Sequence, residues 1–493
     1  MEELGRLKLA EALAKASDIG IQAPSHGRQS GGSRECGCCG GDKCLLASTM
    51  RVAEALAAYN RPSHHKTSLV HGVTSPTPPS WYYGPVHYFT AKAGVHVSFV
   101  STPRNIQRLP KVPPNLAPLI DLVEFPLLTL DNEILPNGAE ATVDIPLDKV
   151  EHFKIAYDLL QIPFKKFIRD QLPDWIIVDF CAHWAVDIAQ EYNVKLVLFT
   201  VMSAATTVFL GRPPGYVFLS DQTPTWPSPE SLTKPPEWVS FPSSVAWREY
   251  EAPFVHATLY TKDASGISGA ARISKVLCAC NALAIRSCKE FEGEYLNLHE
   301  KQMGKPVFSV GLLPQPHERP ETSKTNDGSW RKIFEWLDKQ VPKSFVFVVF
   351  GSECKLSKEQ VHEIAYGLEL SLAPQMEILA HPAIGGSLFH SGWGSVIEIL
   401  QFGHSLIVLL LVYDQSLNAG LLVDKDLAVE VERGKDGSFD RDSLAKALRL
   451  AMVSEEGKTF RVRARKAAAI FGDENLHQQY YIDRFVEYLK NRE

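Results

Sequence analysis

LAPQMEILAHPAIGGSLFHSGWGSVIEILQFGHSLIVLLLVYDQ, residues 372–415, is the stretch whose reading decides the fold. A glycine-rich turn (Gly385 and Gly386, then His390 and Gly392) opens into an apolar-periodic segment beginning at Ser395. Unpaired backbone N–H groups at such a helix start face an anion, and a diphosphate suits them. His390 can donate to a phosphate oxygen, and Ser395 adds a hydroxyl and an N–H to the same charge. Glu398 follows about one turn later, where a carboxylate can accept from both hydroxyls of a ribose. The apolar run Leu406 to Val412 reads as a buried parallel strand. It puts Asp414 and Gln415 at its C-terminal end, where open α/β sheets bind ligands and where a carboxylate and an amide suit sugar hydroxyls. Taken singly, His390 and Trp393 read more readily as core residues and Glu398 as a helix surface charge. It is the joint spacing that favours a site.

Working outward, the chain has 493 residues, 45% of them hydrophobic, with no apolar run near the roughly 18–20 residues that span a bilayer. This implies two or three globular domains. A net charge of −6 gives no general attraction to nucleic acid or anionic lipid. Met1-Glu2-Glu3 lacks the basic and apolar regions of a secretory signal, so a cytoplasmic protein is expected. The nine scattered cysteines read as reduced thiols.

From Ala91 to about Ser309, β-branched runs alternate with helical segments, the rhythm of a doubly wound sheet. Val95 to Val100, Trp175 to Val178 and Lys195 to Phe199 read as strands, and Ile155 to Ile168 as one amphipathic helix. Gly211 to Pro242, dense in proline and serine, reads as a long surface excursion, and Pro314 to Ser329 as a linker. Trp330 to Lys339 is expected to be helical, Phe345 to Phe350 a buried strand, and Lys358 to Leu370 a helix. Gly351-Ser352-Glu353 makes a second phosphate-binding turn, with Ser352 as donor.

His390-Ser391-Gly392-Trp393-Gly394-Ser395, Glu398 and Asp414-Gln415 resemble, in register over 44 residues, the signature box of plant family 1 UDP-glycosyltransferases. Residues 91–99, 281–287 and 350–353 look most like the branch-forming enzymes of that family, the flavonoid and soyasaponin rhamnosyl- and glucosyltransferases. The resemblance implies an α/β GT-B fold with two Rossmann-like domains facing a cleft. On this reading residues 1–90 are an atypical leader, 91–310 an incomplete acceptor domain, 311–330 a linker, 331–473 the UDP-sugar domain, and 474–493 a helix returning to the first domain. The implied donor-binding set is Ser352, Gln375, His390, Gly392, Trp393, Gly394, Ser395, Glu398, Asp414 and Gln415. The implied chemistry is an inverting, metal-free hexosyl transfer, glucose or rhamnose, from a UDP-sugar co-substrate to a small glycoside such as a flavonoid or triterpenoid saponin. Asp179 would orient a histidine base.

Some positions depart from the family pattern. No histidine stands where the family base would lie; His87 is only four residues before Ala91, and His183 follows Asp179 by four. A missing base costs about 10²- to 10⁴-fold in rate. Residues 368–373 run together where the family has a longer segment, and Leu372 replaces the tryptophan that stacks on uracil, an interaction worth roughly 1–3 kcal/mol. Gly394 stands where most of the family has asparagine. In the leader, Cys36, Cys38, Cys39 and Cys44 with His64 and His65 supply only one C-x₂-C knuckle, so disorder is expected there in preference to a zinc fold. Two readings follow, an active enzyme with weakened activity and an inactive relic that still binds UDP.

Overall fold

The computed structural model describes residues 68–71, 95–109, 112, 114, 116–127, 135–136, 138–146, 149–211, 225–314, 328–350, 356–367 and 378–491. Ser352, Leu372, Gln375, His87 and the cysteines of the leader lie outside them.

Seven strands form the first sheet: β1 (Ser68–His71), β2 (His96–Ser101), β3 (Ile120–Glu124), β4 (Trp175–Val178), β5 (Lys195–Thr200), β6 (Ala282–Ile285) and β7 (Val307–Ser309). Their order is β3-β2-β1-β4-β5-β6-β7, parallel at every pairing. β4 and β6 are buried throughout and β5 nearly so, which is why these strands read as continuous apolar runs without alternation. Strand order reverses between β1 and β4, and this is the point at which doubly wound sheets open a crevice beyond their C-terminal ends.

β1 lies within residues 1–90, which the sequence reading gave as an atypical leader expected to be largely disordered. Four residues are below the length at which periodicity is readable, and only the pairing of Leu69 with Val97 on one side and Trp175 on the other defines the strand. Ile155 to Ile168 is likewise two helices, Val150–Asp158 and Gln161–Gln171. Pro163 lies in the first turn of the second, where its missing N–H costs no hydrogen bond. The described part of the proline-rich excursion, 225–242, is mostly exposed or half-buried but anchored at a few points. Trp226 and Leu232 are buried there, and the Trp226 ring stacks on Phe209 with centroids 4.6 Å apart. Proline and serine content reports turns, and three or four anchoring apolar residues are enough to pull such a segment inward.

The second sheet has the order β11-β10-β9-β8, again parallel, from β8 (Phe345–Val349), β9 (Ile384–Phe389), β10 (Ser405–Val408) and β11 (Ala428–Glu430). Val349, Phe389, Val408 and Glu430 form one cross-strand row at its C-terminal edge. The last helix, Ile482–Lys490, buries Ile482, Phe485, Val486 and Leu489 against Val97, Trp175 and Val197 of the first sheet. The Trp175 indole donates to the Leu489 carbonyl at 2.8 Å, so the C-terminal segment braces the first domain.

The two units meet through directional bonds. Trp393 Nε1 donates to Arg286 O and Trp247 Nε1 to Tyr413 O, each at 2.8 Å, and Arg248 grips Glu430 with two nitrogens. In the helix Gln415–Asp424, a Cβ on Gly420 would lie 2.5 Å from Ser244 O of the first domain, so close approach requires glycine. Gly420→Ala should therefore cost roughly 1–3 kcal/mol of stability as an overpacking change. A urea midpoint equal to that of the unaltered chain would reject this contact.

Candidate donor-binding site

The turn after β9 and the turn after β10 leave the same sheet edge, because parallel strands end on one side. His390 follows Phe389 directly. Ser391 has φ 64°, a left-handed conformation unusual for a residue with a Cβ, and it reverses the chain into the helix Trp393–Leu400. That helix begins two residues before the expected start, so Ser395 lies in its first turn. Gly392 at the N-cap supplies no side-chain acceptor, and the first N–H groups are left for an anion. A Cβ on Gly392 would sit 2.7 Å from His390 Nε2, so this glycine gives the imidazole its place.

Burial pushes the His390 imidazole down to about 4, partly offset by a hydrogen bond to the Val349 carbonyl. It is neutral at pH 7 and carries a single N–H, so the nitrogen that bonds the Val349 carbonyl and the other ring nitrogen cannot donate at once. Its Nδ1 and the hydroxyl of Ser391 are buried without a hydrogen-bond partner among the described residues. Two orphaned polar atoms beside an uncapped helix start carry a desolvation cost that a bound polar group would remove. Ser395 and Glu398 are each 8% exposed, one turn apart on this helix.

On the neighbouring turn, Gln415 Oε1 accepts from Leu411 N at 2.7 Å and Val412 N at 3.0 Å, so its carbonyl oxygen holds the loop that presents Asp414. Burial raises the Asp414 carboxyl above its ordinary range, and the bond from Asn418 Nδ2, 2.9 Å, works against that rise. Asn418 Nδ2 also donates to Ser391 O at 3.1 Å, tying the two turns together. His390, Ser395, Glu398 and Asp414 thus come from adjacent turns on one edge. Trp393 is engaged elsewhere, its indole buried and turned to Arg286 O across the interface. Asn418, three residues beyond the box, was missed in the sequence, where a helical asparagine signals nothing by itself.

In the first domain Asp179 stands half-buried just beyond β4 at the switch point, and its Oδ1 accepts from Cys181 N at 2.8 Å. The His183 ring is turned elsewhere, with Nδ1 3.1 Å from Arg272 Nη1 and 3.4 Å from Cys181 O. Arg272 also holds both oxygens of Asp158, at 2.8 and 2.6 Å. His71, which the sequence reading passed over, ends β1 in register with Ile177, two residues before Asp179.

Comparison with known proteins agrees with this layout. Residues 357–461 match the family described as UDP-glucoronosyl and UDP-glucosyl transferase. UDP-glycosyltransferase 91A1 of Arabidopsis thaliana is 36% identical over 442 residues, covering 81% of this chain and 91% of that protein. The chain belongs to the UDP-glycosyltransferase family. Soyasaponin III rhamnosyltransferase of Glycine max is likewise 36% identical to this glycosyltransferase, over 83% of the chain and 92% of the relative. The crystal structure of Medicago truncatula UGT71G1 complexed with UDP-glucose matches its fold with TM-score 0.61 at 18% identity, covering 86% of this chain and 98% of that one. The fold is GT-B, and the residues gathered at the second sheet's edge lie within the span that matches the family. Among the described residues of this glycosyltransferase, no group of three or more His, Cys, Asp or Glu side chains is arranged to hold a metal. None of its described helices is long and apolar enough to cross a membrane.

Acid should loosen this architecture. Burial holds His299, His390 and His404 each at about 4, against the ordinary 6.5. The unfolded chain therefore binds more protons between pH 6.5 and 4, so stability is full above that window and falls through it. The fall is on the order of 3 kcal/mol per histidine by pH 4. His404, whose Nδ1 lies 3.0 Å from Ser387 Oγ, can be tested alone. His404→Gln should reduce the slope of urea-unfolding stability against pH between pH 6.5 and 4. An unchanged slope would show that His404 does not contribute.

Proposed function

We propose that this glycosyltransferase moves a hexosyl group, glucose or rhamnose, from a UDP-sugar to a small-molecule glycoside such as a flavonoid or triterpenoid saponin. The observation that carries the donor half is the pair of buried, unpartnered atoms, His390 Nδ1 and Ser391 Oγ, beside the uncapped start of the helix Trp393–Leu400. A diphosphate oxygen would accept from the Ser391 hydroxyl and, in the tautomer that carries the His390 proton on Nδ1 and gives up the Val349 bond, from the imidazole, with the first-turn N–H groups and Ser395 completing the cradle. In this reading Gly392 and Gly394 keep the cradle open, Glu398 accepts from the ribose, and Asp414 with Gln415 meets the sugar hydroxyls. Ser352 and Gln375 add polar contacts to the donor.

The glycoside acceptor is supported by the similarity to soyasaponin III rhamnosyltransferase and by the placement of the Asp179 turn at the switch point of the first sheet. Transfer is direct displacement at the anomeric carbon with inversion. It needs no metal, because the donor N–H groups and the neutral His390 face the leaving diphosphate. Asp179 orients the group that removes the acceptor proton. His71, at the neighbouring strand end, is a candidate by sheet register, whereas the His183 ring is engaged with Arg272 and Cys181. The reaction would take place in the cytoplasm.

A second reading keeps nucleotide binding without turnover. It rests on Leu372, in place of the stacking tryptophan, and on the run-together segment 368–373. Incubation with UDP-glucose or UDP-rhamnose and a flavonoid or saponin glycoside separates the two. Turnover is expected, and nucleotide binding without any turnover would favour the relic. Ser395→Ala should weaken UDP binding roughly 10- to 100-fold, the worth of hydrogen bonding to a charged group. Unaltered UDP affinity in that variant would reject the cradle.

A further inference from the structure

Asn418 is fully buried, and its amide makes four hydrogen bonds to three separate pieces of chain. Its Oδ1 accepts from Ser203 Oγ at 2.8 Å and from Thr206 Oγ1 at 3.2 Å, both in the first domain. Its Nδ2 donates to Ser391 O at 3.1 Å and to Asp414 Oδ2 at 2.9 Å, on the two donor turns. The amide can point only one way, because a carbonyl and a carboxylate accept and only NH₂ can donate to them. The first-domain partners are themselves fixed. Ser203 caps the helix Ala204–Leu210 by accepting from Thr206 N at 3.2 Å, and the buried Glu292 takes Ala205 N at 2.9 Å. This junction is satisfied on every side, unlike the orphaned atoms a few residues away.

We propose that Asn418 is a positioning residue for sugar transfer: it aims the Asp414 carboxylate at the donor sugar and locks the two donor turns to the acceptor-domain helix Ala204–Leu210. A purely local helix residue would not link both domains, and a purely interdomain one would not hold Asp414. Without the Nδ2 donor, the half-buried carboxylate loses the bond that orients it and turns away from the sugar. With an acid at 418, two carboxylates would face each other across about 3 Å, which is repulsive in a poorly solvated site.

The inference rests on the reading of Asp414 as a sugar contact, and the experiment keeps the two apart. UDP, and whichever of UDP-glucose and UDP-rhamnose binds the unaltered enzyme more tightly, are titrated calorimetrically into Asn418→Ala, Asn418→Asp and Asp414→Ala. Asn418→Ala should lose about tenfold in UDP-sugar affinity and less than about threefold in UDP affinity, with Asn418→Asp worse than Asn418→Ala. The Asn418→Ala and Asp414→Ala losses should fall well short of additive in the double variant, as expected of groups acting as a unit. Equal losses for UDP and UDP-sugar, or no loss, would overturn the positioning role. If Asp414→Ala itself leaves the UDP-sugar affinity intact, it is the sugar-contact reading that fails.

Because Asn418 is buried and its truncation is a folding risk, a second pair approaches from the other side. Ser203→Ala with Thr206→Val removes both hydroxyls and leaves the Asn418–Asp414 bond in place. It should keep UDP-sugar affinity within about threefold while lowering kcat for glycoside transfer about tenfold. An unchanged kcat would overturn the coupling between domains.

Discussion

Parallel pairing is the constraint on which the rest of this molecule depends. In the second sheet it aligns Val349, Phe389, Val408 and Glu430 in one row, so everything that follows those residues emerges on one edge. A ligand there meets two turns and two helix starts at once. The His390 turn and the Asp414 loop are distant in sequence, and no local preference brings them together. The backbone hydrogen bonds between β9 and β10 do so, and Asn418 then closes the gap with side-chain bonds of its own. The first sheet applies the same rule with a reversal of order, and the reversal puts the ends of β1 and β4 at the mouth of its crevice.

What orients the two edges against each other is a set of polar bonds laid over a shared apolar core. Indole-to-carbonyl bonds from Trp393 and Trp247, the paired bonds of Arg248 to Glu430, and the Asn418 junction all cross the interface. Such bonds add little net stability over water, but they are directional, and an unmade one is costly when buried. An interface built this way holds one register between the domains in preference to a range of packed arrangements. On the proposed reading, with the donor on one domain and the acceptor on the other, transfer requires that register, since a misplacement of about 1 Å can cost 10²-fold in rate. The helix Ile482–Lys490 adds apolar burial from the far end of the chain, so the first domain is completed by residues at the end of the sequence.

The signature box was legible because its chemistry is local. Glycines that permit a tight turn, a serine in the first helical turn and a glutamate one turn later are fixed by spacing along a single strand–turn–helix. The roles of some box residues were not. Trp393 lies within the box yet bonds Arg286 of the other domain, and the Gln415 oxygen is taken up by its own loop. His183 shares a turn with Asp179 in sequence, but the Arg272–Asp158 pair draws it away, and those partners are 89 and 25 positions distant. β1 was invisible because four residues carry no period, and its place exists only as a pairing with β2 and β4.

The sequence by itself determined which elements could form and which family of chemistry they serve, because helix starts, buried apolar runs and glycine turns are short-range consequences of residue type. Tertiary structure alone decided which of those residues face one another. The partners of Asn418 lie at positions 203, 206, 391 and 414, and its amide became informative only once folding had placed two hydroxyls, a carbonyl and a carboxylate around it. A hydrogen bond is specified by distance and direction in space, and neither is written along the chain.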